Sequence, residues 1–303
     1  MTDALVVGEA LIDIVYPLEG AVTEHVGGSP ANVAIGLARL GHSTELATWI
    51  ADDERGRRIW AHLDGENVAI FPGSLDAHRT PTAKAVIDQD RKATYEFDLE
   101  WEVPGTLVPV PGAHLHFGSF SATLDPGGAQ VRAFAAASRA TGTVSYDPNA
   151  RPSLMGTPSQ ARPKVEEAIG VADVVKASDD DIAWFYGIED PADVIPAWLA
   201  MGPSLVVVSR GPAGVLAATE DEIRHFPTTD VPVVDTVGAG DSFMSGLLSG
   251  LLDAGYLGGA DARERLRAAT LDDLGPAIQR ALDCANITVS RAGANPPRRD
   301  EIQ

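Results

Sequence analysis

Apolar and polar positions alternate along this chain with two different periods. Residues 4–15 (Ala-Leu-Val-Val-Gly-Glu-Ala-Leu-Ile-Asp-Ile-Val) form a nearly unbroken apolar run, which predicts one buried strand. Asp13 interrupts its end, and a carboxylate there is costly unless it is paired, faces a cleft or reaches solvent. Next, Val33, Leu37 and Leu40 give a helical face, with Ser29 suited to the N-cap, Pro30 to the first turn and Gly41 to the stop. Residues 52–67 read as a charged amphipathic helix with a solvated face. Residues 81–101 alternate instead, with Ala83, Ala85 and Ile87 before a polar turn at 88–91 and Ala93, Tyr95 and Phe97 after it, which predicts a β-hairpin.

From there the units repeat as strand then helix. Strands are expected at 114–118, 143–146, 172–176 and 205–208, and helices at 128–140 and from 277 onward. The β-branched run Val231, Val233 and Val234 reads as a further strand. It leads into a glycine turn and a helix whose apolar face carries Phe243, Leu247, Leu248, Leu251 and Leu252. Such a series predicts an α/β domain with a mainly parallel sheet, to which the hairpin is an appendage.

Composition narrows the functional classes. The chain has 303 residues, of which 45% are hydrophobic, enough for a sizeable core. Its 43 acidic and 23 basic residues leave a formal charge of -20, which argues against nucleic acid or an anionic membrane as partner. No apolar run approaches the length of a membrane span, and no charged-then-apolar leader is seen. The single cysteine, Cys284, has no partner for an internal disulfide and fits a reducing cytoplasm as a small core residue.

The stretch that carries chemistry is Asp235-Thr236-Val237-Gly238-Ala239-Gly240-Asp241. Glycines there let the backbone come close to a ligand, and the first helical N–H groups have no intrahelical partner. That end of a helix suits an anion such as a phosphoryl group. Asp241 is either an N-cap or a general base that takes a proton from an attacking hydroxyl. Asp235 is either a turn residue or a cation holder. A dinucleotide fingerprint would need glycine where Phe243 stands, and no G-x-x-x-x-G-K-[ST] occurs.

Other segments offer weaker signals. Gly27-Gly28-Ser29-Pro30-Ala31-Asn32 allows close approach of a ligand, and Asn32 could bond a substrate hydroxyl or only water. The same segment falls one residue short of a serine nucleophile elbow. His114 and His116 point to one face of a strand and could hold a metal, but a third ligand is lacking nearby, which favours a structural role. Asp147-Pro148-Asn149-Ala150-Arg151 sits at a strand's C-terminal end, where ligands of open α/β sheets collect. Arg151 is there the candidate phosphate or transition-state cation, or else a surface ion-pair partner. Ser178-Asp179-Asp180-Asp181 offers oxygen ligands for Mg²⁺ or merely an acidic helix start. Ser209-Arg210-Gly211-Pro212-Ala213-Gly214 is a strand-end turn that could border a nucleotide.

Asp-Thr-Val-Gly-Ala-Gly-Asp-Ser-Phe at 235–243 resembles the C-terminal signature of the ribokinase-like (PfkB) carbohydrate kinases, and Gly-Gly-x-x-x-Asn-x-Ala at 27–34 resembles the N-terminal one. The resemblance spans about residues 4–294. His-Phe-Gly-Ser at 116–119 and Asp-Pro-Asn-x-Arg at 147–151 are similar to the fructokinase-like branch. It implies a single ribokinase-like α/β domain over 1–303: a central, mainly parallel sheet flanked by helices, with a small β-sheet lid formed by about 14–26 and 81–104. It implies a cytoplasmic ATP-dependent sugar kinase, with fructose the first choice and 2-keto-3-deoxygluconate or ribose the alternatives. A non-catalytic sugar or nucleotide sensor is the competing class. Asp241 would be the base, with Gly238, Ala239 and Gly240 as phosphoryl donors and Arg151 as a cation. Asp13, Gly28, Asn32, Tyr95 and Phe97 would contact sugar, although Asp98-Leu99-Glu100 stands where fructokinase-like members often carry an arginine. Lys176, Ser178, Ser209, Gly211, Gly214 and Asn286 would border ATP. Asp181 would order water around Mg²⁺ in place of the family's usual glutamate. Asp235 would lie by a monovalent cation such as K⁺. A homodimer through the hairpin edge stays open.

Overall fold

The computed structural model describes residues 2–17, 20–87 and 93–302. In chain order its strands are β1 (Ala4–Val7), β2 (Leu11–Tyr16), β3 (Thr23–Gly27), β4 (Thr44–Ala47), β5 (Val68–Ile70), β6 (Thr82–Ile87), β7 (Ala93–Asp98), β8 (His114–Gly118), β9 (Val144–Asp147), β10 (Val174–Ser178), β11 (Leu205–Ser209), β12 (Val215–Ala218) and β13 (Ile223–Phe226). The helices are α1 (Ser29–Arg39), α2 (Glu54–Gly65), α3 (Gly127–Ser138), α4 (Pro152–Met155), α5 (Pro158–Val171), α6 (Asp179–Tyr186), α7 (Ile195–Met201), α8 (Ala239–Asp253), α9 (Ala260–Ala268) and α10 (Leu271–Val289).

Nine of the described strands form one sheet in the order β13-β12-β11-β10-β9-β8-β1-β4-β5. Pairing is parallel from β5 through β11 and antiparallel at β12 and β13. Successive residues of a strand face opposite sides, and the core divides accordingly. Ala4 and Val6 of β1 join Val33, Phe243, Leu247 and Ile278 on one side. Leu5 and Val7 join Val131, Val165, Ile169 and Trp198 on the other. The fold is therefore the ribokinase-like α/β arrangement the resemblance implied, with a second sheet, β3-β2-β6-β7, beside it.

Several local expectations change. The run 4–15 is two strands in two sheets, because the chain crosses from one to the other at Gly8-Glu9-Ala10. The crossing packs so closely that a Cβ on Gly8 would lie 2.3 Å from Pro30 and 2.8 Å from the Ser121 hydroxyl. Val231–Val234 is not a strand: β13 already forms the sheet's edge, and Val233 and Val234 are exposed. The final long helix begins at Leu271 and includes Ile287–Val289. The hairpin turn at 88–91 lies outside the described residues.

Helix α8 is buried on every side from Asp241 to Leu251, not along one face. Small residues make this possible. A Cβ on Gly246 would meet Ala281 Cα and Cys284 Sγ at 2.9 Å, and one on Gly250 would meet Ala277 Cα at 2.6 Å. A Cβ on Gly36 of α1 would come within 2.2 Å of the Ser245 hydroxyl. Held between α1 and α10, α8 has its first turn at the end of the sheet where β9, β10 and β11 terminate.

Candidate active site

The loop before α8 is fastened by its own acid. Asp235 Oδ1 accepts from the Val237 N–H at 3.0 Å and Oδ2 from the Gly293 N–H at 2.8 Å. These bonds hold its carboxyl below the usual aspartate range. Both carboxylate oxygens thus brace main chain, joining the loop to the segment after α10. Gly238 takes a left-handed φ of 74°, and a Cβ there would lie 2.6 Å from that of Ala294. Only glycine fits both demands. The Ala239 N–H turns back to Thr236 O at 3.3 Å. Among the described residues, the N–H groups of Gly240 and Asp241 have no acceptor, as expected at a helix start. In the reading of this turn as an anion cradle, these two N–H groups rather than that of Ala239 would be donors.

Asp241 stands in that first turn, 8% exposed. Ser29 Oγ donates to its Oδ1 at 2.6 Å and Asn32 Nδ2 to its Oδ2 at 2.8 Å. Ser29 and Asn32 lie three apart on α1, hence on one face. Ser29 does not cap α1: Gly28 precedes the helix, and no side chain caps it. Its hydroxyl instead fixes Asp241, a role the local sequence concealed because Ser-Pro at a helix start reads as a cap. Asn32, expected on the substrate, also holds this carboxylate.

The small sheet supplies the neighbouring groups. Asp13 of β2 is in register with His25 of β3, and a Cβ on Gly27 would lie 2.1 Å from Asp13 Oδ2. Burial raises the Asp13 carboxyl, against the fields of His25 and Arg151. Gly28, at φ 112°, lies against the main chain of Glu9, where a Cβ would sit 2.4 Å from Glu9 O. Arg151 is exposed, and its Nη1 donates to Asn149 Oδ1 at 2.7 Å, within its own loop. Its charge acts on Glu9 and Asp13, which places it on this side of the cleft. Phe97 is partly buried against the sheet core, and the side chain of Tyr95 lies outside the described residues.

Glu9 was not foreseen. It is 3% exposed, and its Oε2 lacks a hydrogen-bond partner, as does the nearby Ser119 Oγ. Burial pushes its carboxyl up to about 7, and the charge of Arg151 relieves this only in part. The unfolded chain, with glutamate near 4.5, ionises first as pH rises, while the folded chain keeps its proton to about 7. Stability contributed by this proton is thus present at low pH and lost between those values, by at most about 3 kcal/mol. Glu9→Gln should abolish that part of the loss. Urea unfolding at pH 5 and pH 8 measures it, and parallel behaviour of the two proteins would reject the assignment.

The floor of the cleft comes from β9 and β10. Lys176 Nζ donates to Asp147 Oδ2 at 2.9 Å, with both side chains buried. Burial pushes Asp147 up to about 6 despite the lysine. Burial alone would lower Lys176, but Asp147, Asp181 and Asp241 outweigh it and raise it. Ser178 caps α6 by accepting from the Asp181 N–H at 3.0 Å, and Asp181 Oδ2 accepts from the Ser178 N–H at 2.8 Å. Asp181 Oδ1 takes the Ala150 N–H at 2.7 Å, so both its oxygens brace backbone. These are the hydrogen bonds of a capped, acidic helix start. Among the described residues no group of three or more acids, histidines or cysteines could hold a metal.

The remaining predicted positions divide. Ser209 ends β11 and donates to Ala177 O at 3.3 Å. Gly211, at φ 50°, faces open space, whereas a Cβ on Gly214 would lie 2.3 Å from Phe226 O, a packing requirement. Asn286 Oδ1 accepts from Thr228 Oγ1 at 2.9 Å. His114 bonds Thr143 and Ser145, and His116 bonds Ser145. Burial lowers both histidines to about 3, so they are neutral structural groups. Two cavities of about 540 and 530 Å³ open at the other ends of the strands, beside Ser204 and beside Asp3, and hold none of these groups.

Comparison with known proteins agrees with this geometry. The pattern of the pfkB family carbohydrate kinases matches residues 1–301. The chain belongs to that family. The kinase is 34% identical over 310 aligned positions to a fructokinase of Klebsiella pneumoniae, covering 98% of this chain and 97% of that one. The crystal structure of a Vibrio cholerae O395 fructokinase double mutant with fructose, ADP and potassium ion bound superposes with a TM-score of 0.79 at 27% identity, over 97% of this chain and 94% of that one. An aminoimidazole riboside kinase of Salmonella enterica, complexed with aminoimidazole riboside and an ATP analogue, gives a TM-score of 0.78 at 25% identity, over 96% of this chain and 94% of that one. Among the described residues, no helix of the kinase is long and apolar enough to cross a membrane.

Proposed function

We propose that the kinase transfers the γ-phosphoryl group of ATP to a primary hydroxyl of fructose. The observation that carries this is Asp241, fastened by Ser29 and Asn32 one residue from an N–H with no acceptor. In this reading the Asp241 carboxylate takes the hydroxyl proton as that oxygen bonds to the γ-phosphorus. The bond from phosphorus to the bridging oxygen breaks, and ADP leaves with that electron pair. The Gly240 and Asp241 N–H groups meet charge that develops on the transferring group, and positioning and electrostatics supply the rate.

Asp13, Gly28 and Arg151 would border the sugar, with Phe97 and Tyr95 placed on β7 of the second sheet. Closing that sheet over the sugar excludes water as a competing acceptor. Lys176, Ser178 and Asp181 would lie beside the phosphates of ATP, where Mg²⁺ would neutralise their charge, and Ser209, Gly211 and Asn286 would run along the nucleotide. Carbonyls of the Asp235 loop and of residues 291–293 offer a place for K⁺, in keeping with the potassium-bound Vibrio relative. Tyr16 and Val86, paired in register and exposed on the small sheet, would meet a second copy in a homodimer.

The test is ADP release on a panel of fructose, 2-keto-3-deoxygluconate, ribose and aminoimidazole riboside, with and without K⁺. Fructose should exceed every other sugar in kcat/KM by about tenfold or more. Preference for another sugar would overturn the substrate, and saturable sugar binding without turnover on any would overturn the reaction.

A further inference from the structure

The buried cation of the cleft is Lys176. It lies in the middle of β10, between β9 and β11, in register with Val207. Val175, Ala177, Val206, Val207 and Val208 around it are apolar and buried, and Lys176 is itself 4% exposed. A buried ammonium is costly, and a well-packed apolar side chain commonly serves stability as well or better. An ammonium carries three donors. Among the described residues, Asp147 is the hydrogen-bond acceptor for only one of them. The ammonium also lies against the first turn of α8, where a Cβ on Gly240 would be 3.2 Å from Nζ. Gly240 is one of the residues of this turn whose N–H lacks an acceptor. Hence the lysine reaches the underside of the anion cradle itself, not the nucleotide wall at Ser209 and Asn286.

We propose that Lys176 is a catalytic residue, its ammonium seated against Gly240 and steadied by Asp147 so that its remaining donors meet the transferring phosphoryl group. Three carboxylates, Asp147, Asp181 and Asp241, keep it charged in the free enzyme. The arriving phosphoryl replaces part of that field with its own negative charge. In a protein of formal charge -20, a cation fixed at this point offsets repulsion that the rest of the surface would impose. Arg151, expected in this role from sequence, is exposed and bonded to its own loop. This inference rests on the kinase reading and refines which atoms perform it.

The test uses Lys176→Met, together with the double variant Lys176→Met/Asp147→Asn, which leaves no unpaired buried acid. Three quantities are measured for wild type and variants: kcat with fructose, Kd for ADP, and Kd for the complex of ADP, Mg²⁺ and aluminium fluoride in the presence of fructose. Turnover should fall about 10²–10³-fold, and the fluoride complex should weaken by a similar factor. ADP affinity should stay within about threefold, because the cation acts on the transferred group. Equal weakening of ADP and of the fluoride complex would make Lys176 a nucleotide anchor and overturn the proposal. Turnover within about tenfold of wild type in the folded double variant would overturn it as well. If wild type itself neither turns over nor binds the fluoride complex more tightly than ADP, the kinase reading fails and the proposal falls with it.

Discussion

Turnover of the Asp241→Asn enzyme falls about 10²–10⁴-fold, the range for loss of a positioned general base, while its affinity for ADP stays near wild type. Asparagine has the same shape, so the first turn of α8 keeps its place. Its oxygen still accepts from Ser29, now bonded at 2.6 Å, and the Asn32 amide can turn to present oxygen to the new NH₂ group. What is lost is a site for the hydroxyl proton. Asp147, locked to Lys176, and Asp181, whose oxygens both accept backbone N–H groups, do not replace it. Steady-state ADP release gives kcat, and calorimetry with ADP gives the affinity. A variant within tenfold of wild-type turnover would show that Asp241 is a structural cap and that the proton leaves by another route.

The largest stability effect lies far from the chemistry, at Gly250→Val. The new Cβ would lie 2.6 Å from Ala277 Cα and 2.7 Å from its Cβ, against main chain that cannot step aside. Helix α8 is buried on all sides there, so it must move away from α10 and leave voids along the contact. Overpacking of this kind costs about 1–3 kcal/mol, and backbone contact puts it at or above the upper end. Better helix propensity returns less than about 1 kcal/mol. Gly65→Ala is the control, because a Cβ at Gly65 of α2 meets nothing within 4 Å. Thermal unfolding should show a drop of several degrees for Gly250→Val and none for Gly65→Ala. Equal midpoints for the two variants would mean that α8 and α10 yield more readily than their packing implies.

Much of the molecule was legible from local pattern. Strand-then-helix periodicity predicted a parallel sheet between helices, because period-two and period-3.6 burial are written in neighbouring residues. The glycine turn before α8 was legible for a similar reason: a positive φ at Gly238 and an anion-ready helix start are local properties. Errors came where neighbours distant in sequence decide. Val231–Val234 has strand composition but no strand to pair with. Residues 4–15 are apolar enough for one strand, yet contact with Pro30 and Ser121 divides them between two sheets.

From the sequence alone came the family, the α/β class and the glycine turn with Asp241 in the helix start after it, since each motif is a matter of residues a few positions apart. Tertiary structure alone decided who touches whom. It brought Ser29 and Asn32 to Asp241 across more than 200 residues, gave Asp181 to Ala150, and set Lys176 beneath Gly240. Those pairings depend on which helix packs on which strand and at what depth, and burial then fixes the charge each group carries.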